Sequence, residues 1–287
     1  MIRIALPNKG RLSESARELL DRAGLEMDVR GERALQATLA GGAFLALFVR
    51  AEDIPEFVAD GAADVGITGR DLVAESERPV EELLDLGFGR CRVAVAARDD
   101  GPATLEDIPS GARVATVFPN ITTRYFAELG RDVTLVSISG AAEIAPHLGV
   151  ADIIVDLVST GSTLKMNGLH ELATVMESSA VVIARRELLE VPETERPVRE
   201  LVAGLESVLR ARGKRYLMAN VPRAVLDEVK RILPGINGPT IVDVMDGGEH
   251  VAAHAVVDTA DVYRVIAELK TLGAEGILVT KIERLMP

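Results

Sequence analysis

The sequence predicts a mixed α/β fold in which two lobes face each other across a cleft, followed by a separate βαββαβ domain. Three observations carry this expectation. Short apolar runs alternate with stretches of helical spacing, two of those runs end in the same Pro-Asn pair ahead of a helix, and the segment from 211 onward reads as four strands and two helices.

The first run, 2–6, ends at Pro7-Asn8-Lys9-Gly10-Arg11. Ser13 then suits the N-cap of a helix that carries Ala16, Leu19, Leu20 and Ala23 and stops at Gly24. A strand at Phe44–Val49, a helix at Ile54–Ala59 and a strand at 65–68 follow, the last leading into Gly69-Arg70-Asp71. Such alternation implies a sheet whose ligands gather at the carboxyl ends of the strands. A second lobe begins after Arg90, with a crossover strand at 91–97 and a turn-rich connection at 102–109. Its strand at 114–118 ends in Pro119-Asn120 before the amphipathic stretch 122–129, echoing the first lobe's opening. A strand at 133–138, a helix at 141–148 and a strand at 150–157 complete it, and Ala180–Ala184 leads back to the first lobe.

The charged segment 192–212 carries Leu201, Leu205, Val208 and Leu209 as a helical stripe. Beyond it come a strand at 214–220, a helix at 224–233, strands at 240–246 and 251–257, a helix at 262–272 and a strand at 277–283. That order is ferredoxin-like. The expected domains are 1–90 with 182–210 for lobe I, 91–181 for lobe II, and 211–287 for the third.

Composition narrows the function. With 287 residues and 48% hydrophobic content the chain is long enough for several packed cores. The longest apolar runs, 43–49 and Ala180–Ala184, fall far short of the roughly 20 residues that cross a bilayer. Asn8, Lys9 and Arg11 interrupt the first apolar stretch, so no signal peptide and no membrane association are expected, and a cytoplasmic location follows. The one cysteine, Cys91, can form neither an internal disulfide nor a thiolate zinc site and reads as a small buried side chain. A formal charge of −12 argues against nucleic acid as a partner, which needs a basic footprint. Anionic ligands must therefore be held locally, by amides, hydroxyls and single cations. The four histidines, His147, His170, His250 and His254, show no metal-ligand spacing; the last two are four apart on a strand, not a helix.

The segment 151–163, Ala-Asp-Ile-Ile-Val-Asp-Leu-Val-Ser-Thr-Gly-Ser-Thr, runs a buried strand into hydroxyl residues around one glycine. Ser159, Thr160, Ser162 and Thr163 offer hydroxyls, and Gly161 lets the backbone approach a phosphate closely. The loop lacks the lysine and spacing of a P-loop. Asp152 and Asp156 stand at even separation and point to one face, where a carboxylate beside a phosphate serves ribose hydroxyls or a magnesium ion. A helix cap with two solvated aspartates is the plainer explanation of the same residues.

The run 140–169, with Glu143, Pro146, Gly149, Asp152, Asp156, Val158-Ser159-Thr160-Gly161, Thr163 and Asn167-Gly168-Leu169, resembles the phosphoribosyl-diphosphate signature of ATP phosphoribosyltransferases. Asn8-Lys9-Gly10-Arg11-Leu12, Asp64-Val65-Gly66-Ile67-Thr68-Gly69 with Asp71, and 235–240 resemble the same family, so the likeness spans nearly the whole chain. It implies a two-lobed, periplasmic-binding-protein-like catalytic body with a cleft plus an ACT-like regulatory domain. The implied reaction joins ATP to 5-phosphoribosyl 1-diphosphate in the first step of histidine biosynthesis: adenine N1 attacks the anomeric carbon and diphosphate leaves.

Under that resemblance Lys9 and Arg11 grip phosphates, Arg50 meets the same anions from the end of its strand, and Asp71 bonds the nucleotide or orients a cation. The loop Ser159, Thr160, Gly161, Ser162 and Thr163 takes the 5′-phosphate, while Glu143, Asp152 and Asp156 take ribose hydroxyls or surround magnesium carried in by the diphosphates. Asn237, Gly238 and Thr240 bind histidine as a feedback inhibitor. Long-form members of the family carry this regulatory domain themselves and assemble as homo-oligomers, dimers and hexamers. Two other readings exist for the same features: a non-catalytic two-lobed module that closes on a small anion, and a regulatory amino-acid-binding protein built around the C-terminal domain. The paired aspartates beside the hydroxyl loop weigh against the first, and the motifs at Lys9, Asp71 and 159–163 against the second.

Overall fold

The computed structural model describes residues 1–28, 34–244 and 248–286. The chain forms two compact units, Met1–Ala203 and Gly204–Pro287. The first opens with β1 (Ile2–Pro7), α1 (Ser13–Arg22), β2 (Met27–Asp28), β3 (Gln36–Leu39), β4 (Phe44–Val49), α2 (Ile54–Ala59), β5 (Val65–Gly69), α3 (Arg70–Ser76) and β6 (Glu81–Asp85). It continues through β7 (Cys91–Arg98), β8 (Ala112–Thr116), α4 (Pro119–Glu128), β9 (Val133–Ser137), β10 (Ile153–Val158), α5 (Ser162–Met166) and β11 (Leu169–Ser178). β12 (Ala180–Ala184), α6 (Arg186–Glu190) and α7 (Pro192–Ala211) follow.

These strands make two sheets, one of seven in the order β2-β3-β4-β1-β5-β12-β6 and one of five in the order β11-β7-β10-β8-β9. In the first, β4, β1 and β5 are parallel neighbours, so the turns after them emerge on one edge. In the second, β10, β8 and β9 are parallel and do the same. The near-continuous burial of β5, β10 and β12 is what strands covered on both faces require. The chain crosses between the sheets twice, at residues 86–90 and at Ser179. The crossings are laced together: Leu86 N–H donates to Ala180 O at 2.8 Å and Ala180 N–H to Phe88 O at 2.9 Å.

Helix α2 lies on the seven-stranded sheet, where Ile54 and Val58 join Ala5, Ala63, Val181 and Ile183 in a buried cluster. Helix α3 follows β5 directly, yet its Leu72 and Ala74 pack against the core of the five-stranded sheet around Val93, Val95, Phe118 and Phe126. Each such fully buried aliphatic side chain contributes about 1.5–3 kcal/mol relative to exposure. Among the described residues no helix is long and apolar enough to cross a membrane.

The second unit holds β13 (Lys214–Pro222), α8 (Leu226–Ile232), β14 (Thr240–Asp243), β15 (His250–Asp258), α9 (Val262–Thr271) and β16 (Glu275–Lys281), the expected βαββαβ order. Its sheet runs β14-β15-β13-β16, antiparallel throughout. Alternate residues of β13 and β15, among them Leu217, Ala219, Val251 and Ala253, turn inward onto Val229, Val265 and Leu269 of the two helices.

Several elements differ from the expectation. The helix at 141–148 is a single 3-10 turn, Ala142–Ile144, because Ala141 enters with φ 52° and Pro146 has no N–H to continue the ladder. Ser13 is the first helical residue of α1, not its cap; Leu12 holds that position and offers no side-chain acceptor. Strands β2, β3, β6 and β11 escaped the sequence pattern. In β11 two register shifts against β7 break the alternation that betrays a strand. Of the expected strand at 240–246, Met245 and Asp246 lie outside the described residues.

Gly66 marks the tightest approach of β5 to α2, since a Cβ built there would run into Ile54 Cγ2 and sit 3.0 Å from Val58 Cγ2. Gly66→Ala is expected to cost about 1–3 kcal/mol by overpacking, read as a lower urea midpoint at unchanged slope.

Candidate active site

On the edge of the seven-stranded sheet, the turn after β1 carries Lys9 and Arg11, the residue after β4 is Arg50, and the first turn of α3 after β5 carries Asp71. Parallel pairing thus brings all four to one edge. They do not behave alike. Asp71 is 1% exposed and lies 3.5 Å, through Oδ2, from Arg11 Nη2. Its Oδ1 receives the Ser178 hydroxyl at 2.5 Å, and its own N–H donates to that hydroxyl at 3.0 Å. Arg11 also donates to the carbonyl of Gly89 in the first crossing segment. The buried Asp71 carboxylate thus has one oxygen bonded to Ser178, while Oδ2, facing Arg11, accepts no hydrogen bond among the described residues. Lys9 is exposed. Arg50 is 65% exposed, with Glu52 at 3.9 Å.

The second edge holds the hydroxyl loop. Gly161, at φ 77°, turns the chain into α5 in a conformation that a side chain would strain. The Thr160 and Ser162 hydroxyls lie 2.9 Å apart, and Ser162 N–H reaches Thr160 Oγ1 at 3.4 Å. Ser159, Thr160, Gly161 and Thr163 line a cleft of about 120 Å³ whose wall includes Glu143 and Asp156. Burial pushes the Asp156 carboxyl above its ordinary range; the N–H of Leu157, donating at 2.7 Å, works against this and the charge of Glu143 adds to it. The cleft thus gathers two carboxylates and several hydroxyls, groups able to bond sugar hydroxyls and phosphate oxygens.

Asp152 is not part of that site. It precedes β10, four residues and roughly 13 Å of extended chain from Asp156. There Arg113 grips it, with Nη2 2.8 Å from Oδ1 and the Arg113 N–H 2.8 Å from Oδ2, which holds its carboxyl below the usual range. Even spacing placed both aspartates on one face, but Asp152 stands just ahead of the strand and Asp156 well along it.

Sequence reasoning passed over Arg92. Its register opposite Val158 puts it beside the loop, where Nη1 reaches Ser159 O at 3.4 Å while Nε and Nη2 hold Glu171. Only the β7–β10 pairing reveals this, because 67 residues separate Arg92 from Ser159. Cys91, next to it, is buried opposite Ser178.

In the second unit, Asn237 and Gly238 occupy an exposed turn closed by Gly238 N–H on Pro234 O at 2.9 Å, and Thr240 begins β14. Thr240 stands opposite His254 on β15, and Nδ1 of His254 is 2.9 Å from the Tyr216 hydroxyl. That Tyr216–His254 pair was invisible in the sequence, where the two lie 38 residues apart.

The profile of the ATP phosphoribosyltransferase (HisG) family matches residues 50–207, and that of the HisG C-terminal domain matches 211–284. A curated ATP phosphoribosyltransferase of Gemmatimonas aurantiaca is 60% identical over the full length of both chains, and one of Natronomonas pharaonis is 50% identical, again over both full lengths. Among solved structures, the ATP phosphoribosyl transferase (HisG:HisZ) complex from Thermotoga maritima matches 72% of this chain and 96% of its own, at 28% identity and a TM-score of 0.63.

The Asp156 shift carries a sign. With its folded pKa raised, the folded state holds the proton more tightly than the unfolded one, so stability is lost as pH rises from the usual carboxylate value, about 4, through the folded value. Asp156→Asn is expected to be at least as heat-stable as the parent at pH 7. The difference closes below pH about 4, as measured by thermal unfolding across pH.

Proposed function

This chain belongs to the ATP phosphoribosyltransferase family, and from that premise we propose that the two carboxyl edges hold the two substrates. It is a phosphoribosyltransferase, a glycosyl-transferring enzyme acting at the first step of histidine biosynthesis. The reaction converts ATP and 5-phosphoribosyl 1-diphosphate to 1-(5-phosphoribosyl)-ATP and diphosphate. The observation that carries the assignment of edges is the 159–163 loop sharing one cleft with Glu143 and Asp156.

In this reading the hydroxyls and amides of residues 159–163 hold the 5′-phosphate, and Asp156 and Glu143 accept the ribose hydroxyls. The adenine N1 already has a lone pair, so the site needs no strong base; it needs alignment and neutralisation of a departing anion. Lys9 and Arg11 supply positive charge to the diphosphates, with Arg11 aimed by Asp71 from below. Arg50 is the least committed cation of the set, held only loosely by Glu52.

Magnesium is implied by the family, and the oxygen donors around the cleft suit it. Among the described residues no group of three or more His, Cys, Asp or Glu side chains is placed to hold a metal. In this reading the ion arrives with the diphosphate and is touched by one or two carboxylates. Such an ion would neutralise charge on the leaving diphosphate.

The C-terminal unit is read as the regulatory domain, 211–287, with lobes 1–90 plus 182–210 and 91–181 forming the catalytic body. Histidine would bind at Asn237, Gly238 and Thr240 and act through a homo-oligomer, dimer or hexamer. A cytoplasmic location belongs to the same reading.

Mixing the protein with ATP, magnesium and 5-phosphoribosyl 1-diphosphate is expected to yield phosphoribosyl-ATP and diphosphate in equal amounts; binding of both substrates with no product would leave the anion-binding module instead. Asp156→Asn is expected to lower kcat by roughly tenfold or more. Histidine is expected to slow the parent enzyme. Thr240→Ala is expected to raise the half-inhibiting histidine concentration roughly tenfold, the worth of one hydrogen bond to a charged group, at an unchanged uninhibited rate.

A further inference from the structure

Two helices attached to different sheets exchange their end caps. Helix α4 opens at Phe118-Pro119-Asn120-Ile121, where Phe118 has no side-chain acceptor and Pro119 has no N–H. The first amides that need a partner are those of Asn120 and Ile121. Glu75, in the last turn of α3, supplies it: Oε1 receives Asn120 N–H at 2.9 Å and Oε2 receives Ile121 N–H at 3.0 Å. In return the Asn120 side-chain amide donates to the Glu75 carbonyl at 2.8 Å. Arg124 adds a looser contact to Glu77 at 3.4 Å.

The opposite end of α3 is pinned as well. Arg70 N–H donates to Ser179 O at 2.9 Å, in the second crossing, and Asp71 N–H to the Ser178 hydroxyl at the end of β11. Between the pins, Leu72 and Ala74 sit in the five-stranded sheet's core. Helix α3 thus continues β5 of one sheet while both its ends are fastened to the other. The carboxylate of Glu75 occupies two successive amides at a helix N-terminus, the place such a terminus offers a phosphate. The Pro119-Asn120 pair, the echo of Pro7-Asn8, is closed by an internal anion.

We propose that Glu75 is a positioning residue for phosphoribosyl transfer. Its carboxylate at the α4 N-terminus makes α3 a strut between the sheets, and the strut sets the separation between the loop of Lys9 and Arg11 and the loop 159–163. The proposal rests on the assignment of those loops to the two substrates. Glu75 touches neither loop, so each substrate keeps its contacts with its own edge when the clasp opens, and alignment between the two is what suffers.

The test uses the full-length enzyme with Glu75→Ala and, as a milder opening that leaves the carboxylate in place, Asn120→Ala. Steady-state rates of phosphoribosyl-ATP formation are compared with calorimetric binding of 5-phosphoribosyl 1-diphosphate alone. Glu75→Ala is expected to lose roughly ten- to a hundredfold in kcat, the effect of a misplacement on the order of 1 Å, with affinity for the single substrate changed by less than about twofold. Asn120→Ala is expected to show the same split at smaller size. Glu75→Gln, which keeps a side-chain acceptor tethered to α3, is expected to retain most of the kcat that Glu75→Ala loses. Unchanged kcat in Glu75→Ala and Asn120→Ala would overturn the proposal, as would binding that weakens in step with kcat, or a Glu75→Gln rate as low as that of Glu75→Ala. Absence of product from the unsubstituted enzyme would count against the phosphoribosyltransferase reading itself.

Discussion

A carboxylate with 1% of its surface in water needs its charge answered at close range, and Asp71, where the two sheets exchange chains, has the Ser178 hydroxyl on Oδ1 and Arg11 at 3.5 Å from Oδ2, an oxygen that accepts no hydrogen bond among the described residues. Its partners come from two separate stretches, Arg11 from the turn after β1 and Ser178 from the end of β11, while Asp71 itself opens the helix after β5. Holding one buried charge therefore ties together a loop, a strand end and a helix. Arg11 gains a defined direction from this, which a lone surface arginine would lack. The remainder of the edge, Lys9 and Arg50, carries charge without that constraint and stays open to solvent.

The negative balance of the chain is compatible with binding two polyanionic substrates where acidic groups near the sheets are paired with cations. Arg70 is held by Glu82 and Asp85, Arg3 by Asp64, Arg92 by Glu171 and Arg113 by Asp152. These pairs draw carboxylates into local neutrality around the sheets. What remains near the hydroxyl loop is the pair Asp156 and Glu143, whose mutual repulsion and burial make a cation or a sugar hydroxyl welcome there.

The sheets were legible because buried central strands advertise themselves as short apolar runs, and β1, β4, β5, β10 and β12 all do so. The candidate site was legible where it lies within one loop, as at 159–163. It was illegible where register decides, since Arg92 meets Ser159, and Tyr216 meets His254, only through strand pairing. Periodicity misled at Asp152, because two residues of one face can still stand too far apart along the chain to share a site. It misled again at 141–148, where one proline and one left-handed residue limit helical composition to a single turn. The Glu75–Asn120 clasp had half a signal, the repeated Pro-Asn pair, but nothing in the spacing points to a glutamate 45 residues upstream.

The position of Cys91 has a chemical consequence of its own. Burial raises its thiol pKa; Arg11 opposes the rise and Asp71 reinforces it. The thiolate, the form that attacks electrophiles and peroxide, is therefore scarce at neutral pH, and burial limits the access of reagents. This sulfur stands one residue from Arg92 and close to the Arg11–Asp71 contact, yet its burial leaves oxidants and alkylating reagents a poor handle at the very place where the two sheets exchange chains.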